Sequence, residues 1–96
     1  MRNWYVVSYD VRDSNRLRRV YLKMRAFGDS LQYSVFLCEL SRRERAIMMS
    51  ELTDILKPSE DSIMIINIGS SDNNIREHIE IIGIGPVIRE RAAVVV

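Results

Sequence analysis

A single carboxylate, Asp10, ends the apolar stretch WYVVSY at residues 4–9 and is followed by a segment rich in arginine. A side chain at the carboxyl end of a strand projects from the end of the sheet, where open α/β sheets commonly place their binding chemistry. Aspartate is also a frequent turn former at such a junction, and this structural role stays open. Asp10 is therefore a candidate for chemistry or for a turn.

The chemistry open to Asp10 is that of a divalent metal ion. Magnesium takes few protein ligands and keeps several waters, although one carboxylate cannot hold it alone. In a homodimer whose two Asp10 side chains face each other, two carboxylates could share one magnesium or manganese ion, with a phosphate in another position. Asp10 is therefore a candidate metal-binding residue.

Basic residues are concentrated directly after this acid. Residues 12–25 contain six basic side chains against one acid. The planar guanidinium group fits phosphate oxygens, so the segment is a candidate nucleic-acid surface, although a helix also carries charge on a merely solvated face. The residues predicted to bind nucleic acid here are Arg12, Arg16, Arg18, Arg19 and Lys23, with Arg25 beside them.

Arg42, Arg43 and Arg45 form a second basic cluster at the start of the second predicted helix. Cations at a helix N-terminus oppose the helix macrodipole, at a cost of roughly a few tenths of a kcal/mol each. Because this placement is locally unfavourable, it favours a role in phosphate binding. Arg42 and Arg43 therefore join the residues predicted to bind nucleic acid.

Three further residues could have either a functional or a structural role. Tyr9 and Phe36 are aromatic side chains that either belong to the core or an interface, or stack on a base. Ser34 could donate a hydrogen bond to a phosphate or simply close a turn. The lone histidine, His78, has no second His or Cys near it in sequence that would suggest a metal site.

The hydrophobic pattern predicts the elements that position these residues. Residues 4–9 read as a strand buried on both faces, and residues 14–27 as an amphipathic helix capped by Asp13 or Ser14, with Gly28 just beyond its end. Residues 30–40 are one bent strand or two strands. The segment SRRE at 41–44 is a capping box that opens a second helix, which Pro58 ends. Residues 62–68 form a further strand, and HIEIIGIG and VIRE are weaker strand candidates.

This order of elements predicts an α+β fold, a ferredoxin-like βαββαβ sandwich with both helices on one face of the sheet. An uncovered sheet face in so short a chain needs a partner, and a two-fold homodimer is the simplest one. We expect an extra C-terminal strand to be swapped onto the partner's sheet. The chain is predicted to be one domain over 1–96, with a core over 3–69 and a C-terminal strand and tail over 78–96.

Composition agrees with a small intracellular domain. The chain has 96 residues, a formal net charge of +1 and one cysteine, Cys38, which excludes an intramolecular disulfide. Eleven of the fourteen Lys and Arg lie in residues 1–57, so the first part of the chain is the part that an anionic partner would meet. The apolar stretches are far shorter than the roughly 20 residues of a membrane span. We expect a cytoplasmic protein without a membrane partner.

The segments YVVSYDV, RLRRVYLKMRAFGDSLQYSVFLCELS and DSIMIINIG together closely resemble one family. It is the small CRISPR-associated adaptation protein, the second of the two universal subunits that insert new spacers. The likeness runs from about residue 4 to residue 85 and is carried by the Tyr-Asp strand end, the Arg-Leu-Arg helix start and the Gln-x-Ser-Val-Phe strand. The chain departs from the family pattern at Leu37, where many members carry an acid, which makes the cleft less polar.

The resemblance implies a ferredoxin-like homodimer whose C-terminal strand joins the partner's sheet. It implies that Asp10 is the metal-associated acid, and that Ser34 and Phe36 lie near the same cleft, to which we also assign Tyr9. It further implies a larger CRISPR integrase subunit as partner, with two of its dimers flanking this one on duplex DNA. Some members look like magnesium-dependent nucleases acting on RNA or on double-stranded DNA, and others look like scaffolds that do not need the acid.

Several functions are therefore open. One is a DNA-binding scaffold in spacer integration. Another is a metal-dependent endonuclease in which Asp10 is the catalytic and metal-binding residue, and a water activated by magnesium or manganese attacks the phosphodiester bond in line. A stand-alone ribonuclease similar to the virulence-associated D toxins would share the architecture, and its gene neighbourhood would distinguish it. A non-catalytic ferredoxin-like regulatory dimer is the remaining alternative.

Overall fold

The computed structural model describes residues 1–83 as one sheet with two helices. The elements follow one another as β1 (Arg2–Asp10), α1 (Ser14–Met24), β2 (Gly28–Gln32), β3 (Val35–Ser41), α2 (Arg42–Ile55), β4 (Ser62–Ser70) and a short 3-10 helix (Ile75–His78). The four strands lie in the order β2-β3-β1-β4, and each is antiparallel to its neighbours. The predicted α+β, ferredoxin-like architecture is confirmed, and residues 30–40 contribute to two strands rather than one.

One face of the sheet packs against both helices and forms the core. Tyr5, Val7 and Tyr9 of β1 are almost fully buried there, together with apolar side chains of β3 and both helices. Because side chains alternate along a strand, the residues between them lie on the other face. That face carries exposed apolar side chains on β4, where Met64 is 57% exposed and Ile66 41% exposed. On β1 itself, Val6 and Ser8 are only half-buried on this face, so the prediction that β1 is buried on both faces is wrong for a single chain.

Local hydrogen bonds begin both helices where the sequence predicts them. The Asp13 carboxylate accepts a hydrogen bond of 2.9 Å from the Arg16 N–H at the start of α1. At the start of α2, Ser41 Oγ accepts from the Glu44 N–H at 3.1 Å, and Glu44 accepts from the Ser41 N–H at 2.8 Å. These contacts satisfy backbone donors that have no partner inside the helix. The predicted capping box is confirmed.

Gly28 does not terminate α1, which already ends at Met24. Gly28 begins β2 and is paired with Cys38 of β3. A Cβ atom at this position would lie 2.4 Å from the Leu37 carbonyl oxygen and 2.5 Å from Cys38 Sγ. The glycine is therefore required by the close approach of β2 to β3 rather than by a helix end.

The segment after β4 crosses the helix-free face of the sheet at the end distant from Asp10. Trp4 Nε1 donates a 2.9 Å hydrogen bond to the Asn73 carbonyl. The Arg76 guanidinium lies over the Trp4 ring, 5.7 Å from its centroid, and pairs with Asp29 of β2. Within residues 78–83 there is no strand, and the rest of the predicted C-terminal strand lies outside the described residues. The strand swap and the homodimer stay predictions.

A search of the part of the chain that the structure describes finds no helix of the length and apolarity that crossing a bilayer requires.

Candidate active site and nucleic-acid interface

Asp10 is the exposed last residue of β1 and is paired with Ser62 of β4. By strand alternation it lies on the same, helix-free face as Val6 and Ser8. Within residues 1–83, its carboxylate makes no hydrogen bond or ion pair. The acid is therefore at the end of the sheet, as predicted, and its oxygens are open to a ligand.

The donor set at Asp10 suits a hard cation but is incomplete in one chain. Carboxylate oxygens are the ligands that magnesium prefers. No group of three or more His, Cys, Asp or Glu side chains that could hold a metal ion occurs within residues 1–83. Within the described residues, Asp10 therefore belongs to no such group, and the predicted homodimer would supply a second carboxylate.

Two of the predicted cleft residues, Tyr9 and Phe36, lie in the core at the same end of the sheet. Tyr9 is 5% exposed, Phe36 is fully buried, and their ring centroids are 6.2 Å apart. The Tyr9 hydroxyl donates a 2.8 Å hydrogen bond to the Tyr33 carbonyl, and burial raises the pKa of this phenol. Both rings pack on the helix-covered face of the sheet at the end of β1, whereas the Asp10 carboxylate lies on the helix-free face. Ser34 is half-buried, and its carbonyl accepts the Tyr9 N–H at 3.1 Å.

Asp61 is a structural acid that the sequence pattern did not reveal. Its side chain is completely buried in the connection between α2 and β4. It accepts hydrogen bonds from the Arg12 N–H at 3.0 Å, from the Lys57 N–H at 2.9 Å and from Arg16 Nε at 2.8 Å. A carboxylate satisfied in this way fixes the segment after β1 to the segment before β4. An acid directly before a predicted strand, in a chain with many arginines, was the available signal.

The guanidinium of Arg16 is engaged by this acid. Arg16 Nε and Nη2 reach both Asp61 oxygens, and Nη2 also lies 3.0 Å from Glu60. The hydrogen bonds from Arg16 hold the pKa of Asp61 well below its ordinary value, and they raise the pKa of Arg16. The Arg16 side chain therefore has a structural role at the base of α1.

The other basic residues of the first cluster differ in their availability. Lys23 forms a 3.0 Å ion pair with Glu51 of α2. The side chains of Arg12, Arg18 and Arg19 are exposed and have no ion pair with residues 1–83. Arg25, directly after α1, is likewise exposed and has no ion pair within these residues.

The second basic cluster lies at the opposite end of the sheet from Asp10. Arg42 directly follows Ser41, which pairs with Arg2 at the start of β1, eight residues before the acid. At about 3.3 Å per residue, this separation is roughly 25 Å. Arg42 and Arg43 are exposed. A groove of about 480 Å³ beside them is lined by Asn3, Tyr5, Arg42, Arg45, Ile65 and Asn67.

Solved structures share this fold. The crystal structure of Streptococcus pyogenes Cas2 at pH 6.5 matches with a TM-score of 0.74 and 29% identity, covering 83% of this chain and 99% of that one. The crystal structure of a hypothetical protein TT1823 from Thermus thermophilus matches with a TM-score of 0.75, covering 90% and 96% of the two chains. The identity with TT1823 is 24%, so that likeness concerns the fold alone.

Sequence comparison defines the family. The family described as CRISPR associated protein Cas2 matches residues 1–75. The CRISPR-associated endoribonuclease Cas2 of Geobacter sulfurreducens is 36% identical over 96 residues, which cover 98% of this chain and all of that protein. The CRISPR-associated endonuclease Cas2 of Halalkalibacterium halodurans is 32% identical over 88 residues, covering 86% and 88% of the two proteins. The chain belongs to the Cas2 family of CRISPR-associated proteins, which confirms the predicted resemblance.

Replacing Asp61 by Asn is predicted to destabilise the fold. The amide keeps the shape of the side chain but removes the charge that compensates Arg16, and its NH2 group faces backbone N–H donors. We expect the Tm to fall by roughly 5–10 °C or more in thermal unfolding followed by circular dichroism. The exposed Asp72→Asn variant is the control. Equal Tm values for the two variants would contradict the structural role of Asp61.

The same carboxylate predicts a pH dependence of stability. Its pKa is lower in the folded chain than in the unfolded chain, so the unfolded state binds more protons as the pH falls. The stabilisation is complete well above the unfolded value of about 3.9, and it is lost progressively as the pH falls through that value toward the lower pKa of the folded chain. Chemical unfolding at a series of pH values should show a smaller loss for Asp61→Asn than for the wild type. An identical slope in both proteins would exclude this assignment.

Proposed function

We propose that the chain is a CRISPR adaptation protein that works as a homodimer, binds duplex DNA and supports spacer integration with the integrase subunit. We further propose that the dimer cleaves phosphodiester bonds in RNA or DNA with magnesium or manganese as cofactor. The observation that carries the catalytic proposal is the Asp10 carboxylate. It is exposed and has no partner within residues 1–83, and it lies at the end of β1 on the helix-free face of the sheet, in a chain of the Cas2 family. The names of the relatives, endoribonuclease and endonuclease, favour a nuclease. The proposed location is the cytoplasm.

The homodimer is supported by the distribution of apolar surface on the helix-free face. Residues 73–76 cover that face beside Trp4 and Asp29, whereas Met64 and Ile66 are exposed nearer to Asp10. Met64 is paired with Ser8 and Ile66 with Val6, so both lie on the face that carries the acid. Burying these side chains against a second copy by a two-fold axis would bring the two Asp10 residues toward each other.

The residues of the proposed dimer divide the work of cleavage. The two Asp10 carboxylates would hold the cation, which supplies Lewis-acid stabilisation of charge on the phosphoryl oxygens when it is bound. The guanidinium groups of Arg12, Arg18 and Arg19 would neutralise flanking phosphates and position the backbone. The buried Tyr9 and Asp61 keep the end of β1 and the start of α1 fixed, so that acid and arginines hold their relative positions.

The dimer proposal predicts that Met64→Lys yields a folded monomer. The side chain is exposed in one chain, so the lysine is tolerated there, whereas an interface would bury its charge without a partner. We expect the dimerisation constant to weaken roughly tenfold or more, measured by sedimentation equilibrium. Ile47→Lys, at a site 40% exposed on α2, is the matched control. A wild-type monomer, or an unaffected Met64→Lys dimer, would refute this interface.

The catalytic proposal predicts that Asp10→Asn loses metal-dependent cleavage. The substitution removes the charge but keeps the size of the side chain, so the expected loss is roughly 100-fold or more with an unchanged Tm. Cleavage of RNA and of duplex DNA should be measured with and without chelator, and manganese binding by calorimetry. Asp54→Asn, an exposed acid on α2, is the control. Cleavage that survives in Asp10→Asn, or that ignores the chelator, would point to another nuclease in the preparation.

The DNA-binding proposal predicts a weaker salt dependence when Arg18 and Arg19 are both replaced by Gln. Each phosphate contact that is lost should lower the slope of log K against log salt by about 1. The measurement is fluorescence anisotropy with a labelled duplex at several salt concentrations. Lys57→Gln, which removes a cation that pairs with Glu60, is the control. Unchanged affinity at both low and moderate salt would reject a role for these arginines.

A further inference from the structure

The turn between β2 and β3 carries an exposed aromatic side chain, Tyr33, which is 57% exposed. One face of its ring stacks on Tyr21 of α1, with centroids 5.2 Å apart and an interplanar angle of 19°. Since Tyr21 can cover only one face, the other face of the Tyr33 ring accounts for much of the exposure. Contact of an aromatic face with water is less favourable than contact with another planar group, so this face is suited to stacking.

Core residues fix the position of the stacked Tyr21 and Tyr33 rings. Tyr21 meets the fully buried Phe36 edge to face, with centroids 5.6 Å apart. The Tyr33 carbonyl accepts the hydrogen bond from the buried Tyr9 hydroxyl, which fixes the backbone of the turn. The series Phe36, Tyr21 and Tyr33 therefore runs from the core to the surface. A pre-organised ring of this kind loses little conformational entropy when a planar ligand stacks on it.

Two exposed arginines, one in α1 and one at its C-cap, lie on the same flank of the helix as Tyr21. Arg18 and Arg25 are three residues before and four residues after it, which places them beside it on the helix surface. Neither side chain has an ion pair with residues 1–83. An open aromatic face next to unpaired guanidinium groups is the combination that binds a base together with its phosphates.

We propose that Tyr33, supported by Tyr21 and flanked by Arg18 and Arg25, is a stacking site for one unpaired nucleobase of a single-stranded nucleic acid. A base pair inside a duplex cannot offer its face to this ring, because both of its faces are already stacked. The site therefore selects single strands or the unpaired ends of duplexes, and it is a specificity determinant separate from Asp10.

The position of the site ties it to the proposed cleavage centre, and this part rests on the proposed function. Tyr33 directly precedes Ser34, whose carbonyl accepts the Tyr9 N–H, so the turn lies at the same end of the sheet as Asp10. The ring is on the helical side of the sheet and the acid on the other side. A strand that wraps around this end of the sheet would place one base on Tyr33 and a neighbouring phosphate near Asp10.

The test combines a change in the protein with a change in the ligand. Wild type, Tyr33→Leu and Tyr33→Phe are titrated by fluorescence anisotropy with a single-stranded oligoadenylate and with the same oligomer lacking its bases. The wild type should bind the base-bearing oligomer roughly 5- to 150-fold more tightly. Tyr33→Leu should lose most of this preference and leave the affinity for the abasic oligomer unchanged, whereas Tyr33→Phe should keep it. Arg18→Gln should weaken binding of both oligomers by a similar factor.

Two outcomes would overturn the stacking site. One is a wild type without preference for the base-bearing oligomer, and the other is a preference that persists in Tyr33→Leu. Thermal unfolding identifies a variant that fails to fold. In that case, crosslinking of an iodouracil-containing oligomer to the wild type decides, because stacking places the adduct on Tyr33. An adduct elsewhere counts against the site.

The stacking site and the proposed nuclease fail in different ways. Asp10→Asn should keep the full preference for the base-bearing oligomer, since the acid does not contact the ring. A preference without any Asp10-dependent cleavage leaves the stacking site standing and removes the nuclease. Asp10-dependent cleavage by a protein without preference for the base-bearing oligomer supports the nuclease and removes the stacking site.

Discussion

The alternation of side chains along β1 is the constraint on which the rest of the structure depends. Tyr5, Val7 and Tyr9 point into the helix-covered core, so the residues between them, ending at Asp10, must lie on the other face. A shift of one residue in register would exchange the two sets and bury the acid. The same pattern that builds the core therefore exposes the carboxylate beside an apolar face that has no helix over it.

The Asp61 carboxylate holds the second half of this arrangement together. It connects the backbone after β1 with the backbone before β4 and engages the guanidinium of Arg16, with which it forms a buried ion pair. Removing one partner of such a pair strongly destabilises the folded state, because the other charge stays buried without compensation. The basic surface of α1 is consequently divided. Arg16 stabilises the junction, whereas the side chains of Arg12, Arg18 and Arg19 remain exposed.

The fold could be predicted from the sequence because its signals are local. The helix starts depend on hydrogen bonds of Asp13 and of the Ser41 and Glu44 pair, each of which joins residues three positions apart in the sequence. The position of Asp10 at the end of a strand follows in the same way. The role of Gly28 could not be predicted, since the atoms that exclude a Cβ belong to β3. The partner of Arg16 was equally hidden, because Asp61 is 45 residues away in sequence.

The most direct test of the proposed dimer is a crystal structure grown with manganese, in which the ion is located by its anomalous scattering. The pairing of helix-free sheet faces predicts one manganese ion between the Asp10 carboxylates of two protomers. A dimer that holds these carboxylates far apart, or an ion bound at other residues while Asp10 faces solvent, would contradict it.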